Sequence, residues 1–429
     1  MRSARTGKYQ SIGNHCLDGG RIPRPRSSVL AQPLRGFCTR FAEAFERTGA
    51  TATTHPDPPS GALPRRRGPL LDPVPLTERL LQRGRFVAAP GHNLLAAAWP
   101  LFYRRITQPA RDRPRQWWAG PALLQLLFAH EHNVVYRELA RTYPRLSNAE
   151  LHSESRNTTI ALLDKIHMQW RASLLPPGQR RRPHRLWRRA LSGLEIGRSR
   201  PSSLDRLLAC VGPLLPDRFD LHSAVTGTRL GPAGGYGFIA LSESGEDLIE
   251  RHSAVNLWYS LGVGEAGAFQ LANHCAASRR LPASHGSGFE NPLAQAIEQQ
   301  RRSHPASYNA LRKLLDLPPV RGFADLDPRW TRQLETCYTQ IDDLDALIGL
   351  LAERRAPDCA IGETAVRCIT VFDATHGTDR RLSDLGAAWV RENALQSVLL
   401  RHYPLLQDAL YRIENPFTRW RCVSLIVTL

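Results

Sequence analysis

Beyond residue 69, apolar side chains recur at helical spacing. Leu124, Leu127, Phe128, Val135 and Leu139 fall three, four or seven residues apart, so a helix over 121–141 is predicted to bury one face. Pro144 ends it, because proline has no N–H and disfavours helical geometry in the residue before it. Ser147 and Glu150 then stand at capping-box spacing, where hydroxyl and carboxylate each satisfy a free backbone N–H. They predict the start of a helix over 147–168, carrying Leu151, Thr158, Leu162 and Ile166. Ile341, Leu344, Ile348 and Leu351 predict another helix. Ala387 to His402 predict a further one, ended by Pro404. No alternating strand run and no long repeat interrupts the pattern. The fold class expected is mainly α, as one helical domain over residues 69–429 with long connections.

Residues 1–68 lack this periodicity and are rich in Arg, Pro, Gly and Ser, so they are expected to be a disordered N-terminal segment. The most apolar window, Asn93 to Tyr103, is too short to cross a bilayer, contains Pro100 and stops at Arg104-Arg105. No transmembrane segment is expected. Eight cysteines are scattered without a C-x-x-C pair, which argues against a zinc module or a thioredoxin-like motif. They are read as reduced, mostly buried thiols, and a cytoplasmic location is expected.

The net charge of +18 is unevenly placed. Only Lys8, Lys165 and Lys313 are lysines, so nearly all the basic groups are arginines. Residues 1–68 carry twelve basic and four acidic groups, 103–115 five and one, and 171–206 ten and two. These three segments hold more positive charge than the whole chain, and the remainder is close to neutral. A working nucleic-acid surface spreads its charge over a folded face. Here the charge sits in atypical Arg-rich loops or tails. No specific nucleic-acid partner is expected, and an Arg-rich nucleic-acid or acidic-surface binder remains an alternative function.

Three strings carry most of the chemical information. They are Trp117-Trp118-Ala119-Gly120, then Leu127-Phe128-Ala129-His130-Glu131-His132-Asn133, then Arg156-Asn157-Thr158-Thr159-Ile160 leading to Lys165-Ile166-His167. Others follow in order: Pro213-Leu214-Leu215-Pro216-Asp217, Leu317-Pro318-Pro319-Val320-Arg321-Gly322-Phe323, Glu363-Thr364-Ala365 and Leu399-Leu400-Arg401-His402-Tyr403-Pro404. In this order they resemble the helical body of the haem peroxidases, on the branch of the fatty-acid α-dioxygenases. The resemblance implies an oxidoreductase with haem as cofactor, peroxide or dioxygen as oxidant and a fatty acid as substrate.

That chemistry needs a proximal histidine on the iron, tuned by a bond from its far ring nitrogen. It also needs a distal histidine that takes and returns a proton. The string Pro90 to Trp99 resembles the helix leading to the distal haem face. Counting on from Trp99, the resemblance puts Leu101 at the distal glutamine position and Arg105 at the distal histidine position. Arginine stays protonated and cannot accept that proton. On the proximal side it puts Gly212 at the ligand position, and Asn273 at the position that supports the ligand. Glycine has no side chain to ligate iron. The substrate arginine pair expected after Glu363-Thr364-Ala365 is also missing. His92 and His222 lie near the two lost positions and are the candidate replacement ligands. The losses accompany Arg-rich stretches, and Arg and Pro codons dominate alternative frames of GC-rich DNA, so parts of 1–68, 103–115 and 171–206 are read as frame-shifted or degenerate. A catalytically inactive, haem-free remnant is therefore the other alternative.

Other polar residues have plainer readings. His130, His132 and His167 are expected to be hydrogen-bonded core or boundary residues of amphipathic helices. Gly231 to Gly237 has no following Lys-Ser/Thr pair and is not expected to cradle phosphate. Ser242 and Ser244 lack a G-x-S-x-G setting, so serine hydrolysis has no support.

Overall fold

The computed structural model describes residues 70–107, 118–174, 215–237, 249, 251–276, 281–282, 289–302, 307–356, 359–368 and 381–423. The predicted disordered segment 1–68, Gly212 and most of 171–206 lie outside the described residues. The described residues are mainly helical, as the apolar spacing predicts. Helix α1 spans Pro73–Leu81 and is followed by strand β1, Ala88–Asn93. Helices α2 (Leu94–Thr107), α3 (Ala119–Thr142) and α4 (Asn148–Leu174) come next. Four two-residue strands, β2 (Arg218–Phe219), β3 (Leu221–His222), β4 (Arg229–Leu230) and β5 (Tyr236–Gly237), pair antiparallel as β2 with β5 and β3 with β4. Helix α5 (Ala254–Val263) leads into β6 (Glu265–Gly267), which pairs antiparallel with β1. The later helices are α6 (Pro292–Arg301), α7 (Tyr308–Leu314), α8 (Thr331–Cys337), α9 (Ala346–Ala352), α10 (Asp384–Glu392) and α11 (Leu395–His402).

The core forms where α2, α3 and α4 pack on one another. The first half of α3 is buried almost all round, with Leu123, Leu124, Leu127 and Phe128 fully enclosed. Burying each such leucine contributes roughly 1.5–3 kcal/mol. From Glu131 onwards α3 becomes amphipathic, and Val135 and Leu139 pack on Leu151 of α4. The predicted capping box is present. The Ser147 N–H donates to Glu150 Oε2 at 2.8 Å, and the Glu150 N–H donates to Ser147 Oγ at 3.3 Å.

Helix α2 begins later than the sequence suggests. Residues 88–93 are a strand, because β1 pairs with β6, and the helix starts only at Leu94. Asn93 caps it: its Oδ1 accepts from the N–H groups of Leu95 and Ala96 at 3.1 and 3.3 Å. Its amide donates in turn to the Pro416 and Thr418 carbonyls, both at 2.7 Å. Pro100 lies inside α2 without ending it. A proline there leaves the carbonyl four residues earlier, that of Ala96, without its helical donor. The Trp170 indole N–H of α4 donates to that carbonyl at 2.8 Å.

Two helices predicted as continuous are each broken. In place of one helix through Ile341–Leu351, a 3-10 turn over Ile341–Asp343 is separated from α9. The break lets the fully buried Asp345 accept from Arg301 Nη2 at 2.7 Å and from the Tyr338 hydroxyl at 2.8 Å. In place of one helix over Ala387–His402, α10 and α11 meet at an extended Asn393. Lys165 Nζ closes α10 by donating to the carbonyls of Val390, Arg391 and Asn393, at 2.8, 2.8 and 2.7 Å. Apolar spacing runs through both breaks, and only the polar partners reveal them.

Among the described residues no helix is long and apolar enough to cross a membrane. Cys275, Cys337, Cys359, Cys368 and Cys422 are free thiols, and Cys275, Cys359 and Cys368 are buried.

Candidate functional site

Helix α2 carries Leu101 and Arg105, the residues expected at the distal positions. Leu101 is buried at 7% exposure, and Arg105 stands one turn further towards the helix end. Between them, the Tyr103 hydroxyl donates to Asp164 Oδ1 at 2.7 Å, and its ring stacks on His167 with centroids 3.8 Å apart. The Trp99 indole N–H donates to His167 Nδ1 at 3.0 Å. His167 is thus a core histidine accepting a hydrogen bond, as expected from its place on an amphipathic helix. His132 is likewise a core histidine with polar partners. It is buried, its Nδ1 lies 3.3 Å from Thr159 Oγ1, and burial is the main cause that pulls its pKa down to about 4.

Asn273, expected from the resemblance to support a proximal ligand, is fully buried. Its Oδ1 accepts from Arg83 Nε at 3.2 Å and from the Val87 N–H at 3.1 Å. Its amide donates to the carbonyls of Val87 at 2.9 Å and Ala268 at 2.8 Å. An asparagine side chain offers two donors and two acceptor lone pairs, so all four are taken. Asn273 therefore staples the approach to β1 onto the end of β6. Arg83 also donates to the Leu215 carbonyl at 2.6 Å, bonds the Asn273 carbonyl and pairs with Asp217 at 3.1 Å. Through Arg83, the segment Leu215–Asp217 that follows the lost ligand position is held against Asn273. No sequence signal singles out Arg83, which is one of 57 basic residues.

The two candidate replacement ligands are not brought together. His92 is buried in β1. Its Nδ1 lies 2.8 Å from the Pro90 carbonyl and its Nε2 lies 2.9 Å from the Ser173 carbonyl. Both ring nitrogens already face protein acceptors. His92 also borders a crevice with Ala96, Trp170, Leu174, Phe269 and Ile361 that offers about 20 Å³, room for a single water. His222 lies in β3, where its N–H donates to Ser260 Oγ of α5 at 2.7 Å. Its Nδ1 is buried without a hydrogen-bond partner among the described residues.

A haem site needs an available nitrogen on one face and a proton acceptor on the other. The residues at the family positions do not fit that demand. Leu101 is apolar, Arg105 is a permanent cation, Gly212 has no side chain and Asn273 is saturated. Of the residues considered, only His222 retains an unused buried nitrogen.

A mainly helical protein built around a buried three-helix core, with these strings in this order, defines the peroxidase class. The animal haem peroxidase family model matches residues 108–181 and 260–409, more than half of the chain, and the chain belongs to that family. Within it, the chain stands on the alpha-dioxygenase branch. It is 28% identical over 359 residues to an alpha-dioxygenase of Pisum sativum, covering 71% of this chain and 55% of that protein. An alpha-dioxygenase of Capsicum annuum is 26% identical over 356 residues, with the same shares covered. The chain thus spans about half the length of these curated relatives. The fold agrees with a fatty acid alpha-dioxygenase variant of Oryza sativa solved with palmitic acid, at TM-score 0.69 and 19% identity, covering 81% of each chain. The family match includes 108–115 and 171–181.

Proposed function

We propose that this chain keeps the α-dioxygenase fold without the family's haem chemistry, as a catalytically silent, haem-free member. One observation carries the reading. Gly212 stands where an imidazole should hold the iron, and Asn273, the residue that would support that imidazole, is bonded at all four of its polar positions. Arg105 adds to it, because a side chain that stays protonated cannot serve as the distal base. A fatty acid, as in the palmitic acid complex of the Oryza sativa enzyme, is the substrate class for any residual activity.

A second reading is favoured by the unpartnered Nδ1 of His222. In it, His222 replaces the lost ligand and peroxide- or dioxygen-dependent oxidation of a fatty acid survives. Turnover separates the two. The full-length protein is supplied with haemin, then assayed for peroxide-driven dye oxidation and for oxygen uptake with palmitate. Rates no higher than those of free haemin are expected. Rates well above haemin that disappear in His222→Ala would establish the second reading and overturn the first.

A further inference from the structure

Helix α3 and the end of α11 form the walls of an open cleft of about 650 Å³. His130, Asn133 and Arg137 line it from one side, and Arg401 and His402 from the other. His130 and Arg137 are two turns apart, so they share one face of α3 with Asn133 between them. All three are exposed.

Behind the lining residues Arg401 and His402 lies the fully buried Glu131. Its Oε1 accepts from Arg401 and from the Trp389 indole at 3.0 Å, and its Oε2 accepts from His402 Nε2 at 2.9 Å. Burial pushes the Glu131 carboxyl up, but the bonds from His402 and Arg401 outweigh it and hold it below the usual glutamate range. Glu131 is therefore ionised and already matched by Arg401. Arg137 is left over. It donates Nε to the Asn133 carbonyl at 3.2 Å, and its terminal nitrogens form no ion pair among the described residues. The rings of His130 and His402 meet edge to face with centroids 5.9 Å apart. Tyr136 completes the rim, and the Glu138–Arg141 pair lies one turn further along α3.

We propose that this cleft binds the dianion of a phosphate monoester. Arg137 offers its two-pronged donor and Asn133 an amide, beside the rings of His130 and His402. These groups sit on two helices and line the cleft from both sides. A phosphate group, with three acceptor oxygens and a charge of about −1.5 to −2 near neutral pH, matches that spread better than a carboxylate with two oxygens and one charge. Burial, then the charge of His402, lowers the pKa of His130, and a bound dianion reverses the second effect. The site is independent of the haem reading.

The test uses the full-length chain and the histidine resonances of an NMR titration. Inorganic phosphate is the first probe, and sulfate, whose charge is constant across neutral pH, is the second. Both should shift the His130 and His402 resonances, and sulfate should bind more tightly as the pH falls and His130 protonates. Arg137→Ala, at an exposed position, should weaken binding by about tenfold with an unchanged circular dichroism spectrum. Sedimentation with phosphatidylcholine vesicles, with and without phosphatidic acid, distinguishes a lipid headgroup from a soluble phosphomonoester. Unmoved resonances, or shifts that are the same in Arg137→Ala, mean an adventitious ion only and overturn the proposal.

Discussion

Glu131 shows how much of this fold rests on single side chains. Three donors from α10 and α11 converge on one carboxylate buried in α3. Removing it strands the Arg401 cation, and breaking a buried pair in this way costs about 3–5 kcal/mol. Urea unfolding of Glu131→Ala is expected to show a loss of that size. His132 makes a second residue-level prediction. Its folded pKa of about 4 lies below the ordinary value of 6.5, so the unfolded chain binds the proton more readily. Its contribution is fully present above about pH 6.5 and is lost as the pH falls towards 4, a difference on the order of 3 kcal/mol. His132→Asn should therefore flatten the fall in stability between those pH values, as followed by thermal unfolding. That His132 and His167 are structural was legible from their places on amphipathic helices. The Trp170 bond to the Ala96 carbonyl was not, because a proline's orphaned acceptor in one helix does not say which distant indole will fill it.

Elements were legible where one apolar face faces one neighbour. The helices predicted over 121–141 and 147–168 are α3 and α4, slightly longer than the spacing showed. The break between α10 and α11 was hidden because Ala387–His402 keeps its apolar spacing across Asn393. What stops α10 is Lys165, more than two hundred residues earlier in the chain, capping three carbonyls. Lys165→Met keeps the stem and removes the donors, so hydrogen exchange in the last turn of α10 should accelerate while α3 and α4 stay protected. Leu127 of α3 is fully buried in the main core, to which α2 and α4 also contribute. Leu127→Asp places a charge in that core and should leave no cooperative unfolding transition in circular dichroism. A soluble variant melting like the original would contradict the packing described.

At the scale of the whole molecule, the family's frame is present, and the proposed reading separates it from the family's chemistry. The frame is carried by dispersed apolar and capping positions, many of which, such as Leu127 and the Ser147–Glu150 box, the sequence pattern displays. The candidate site is carried by a few residues whose meaning comes from position alone, so Gly212 and Arg105 were legible only through the resemblance. The saturation of Asn273 by Arg83, Val87 and Ala268 could not be read from the sequence at all, since its partners lie far apart in the chain. Residues 1–68, which lack apolar periodicity, are proposed to be dispensable, and removing them should leave the thermal midpoint of the remaining chain unchanged. The most direct test of the central claim is a haemin titration of the purified full-length protein, followed by absorbance in the Soret region. The unmodified chain is expected to give no saturable one-to-one complex, whereas Gly212→His should gain one and Arg105→His alone should not. Tight stoichiometric haem binding by the unmodified chain would contradict it.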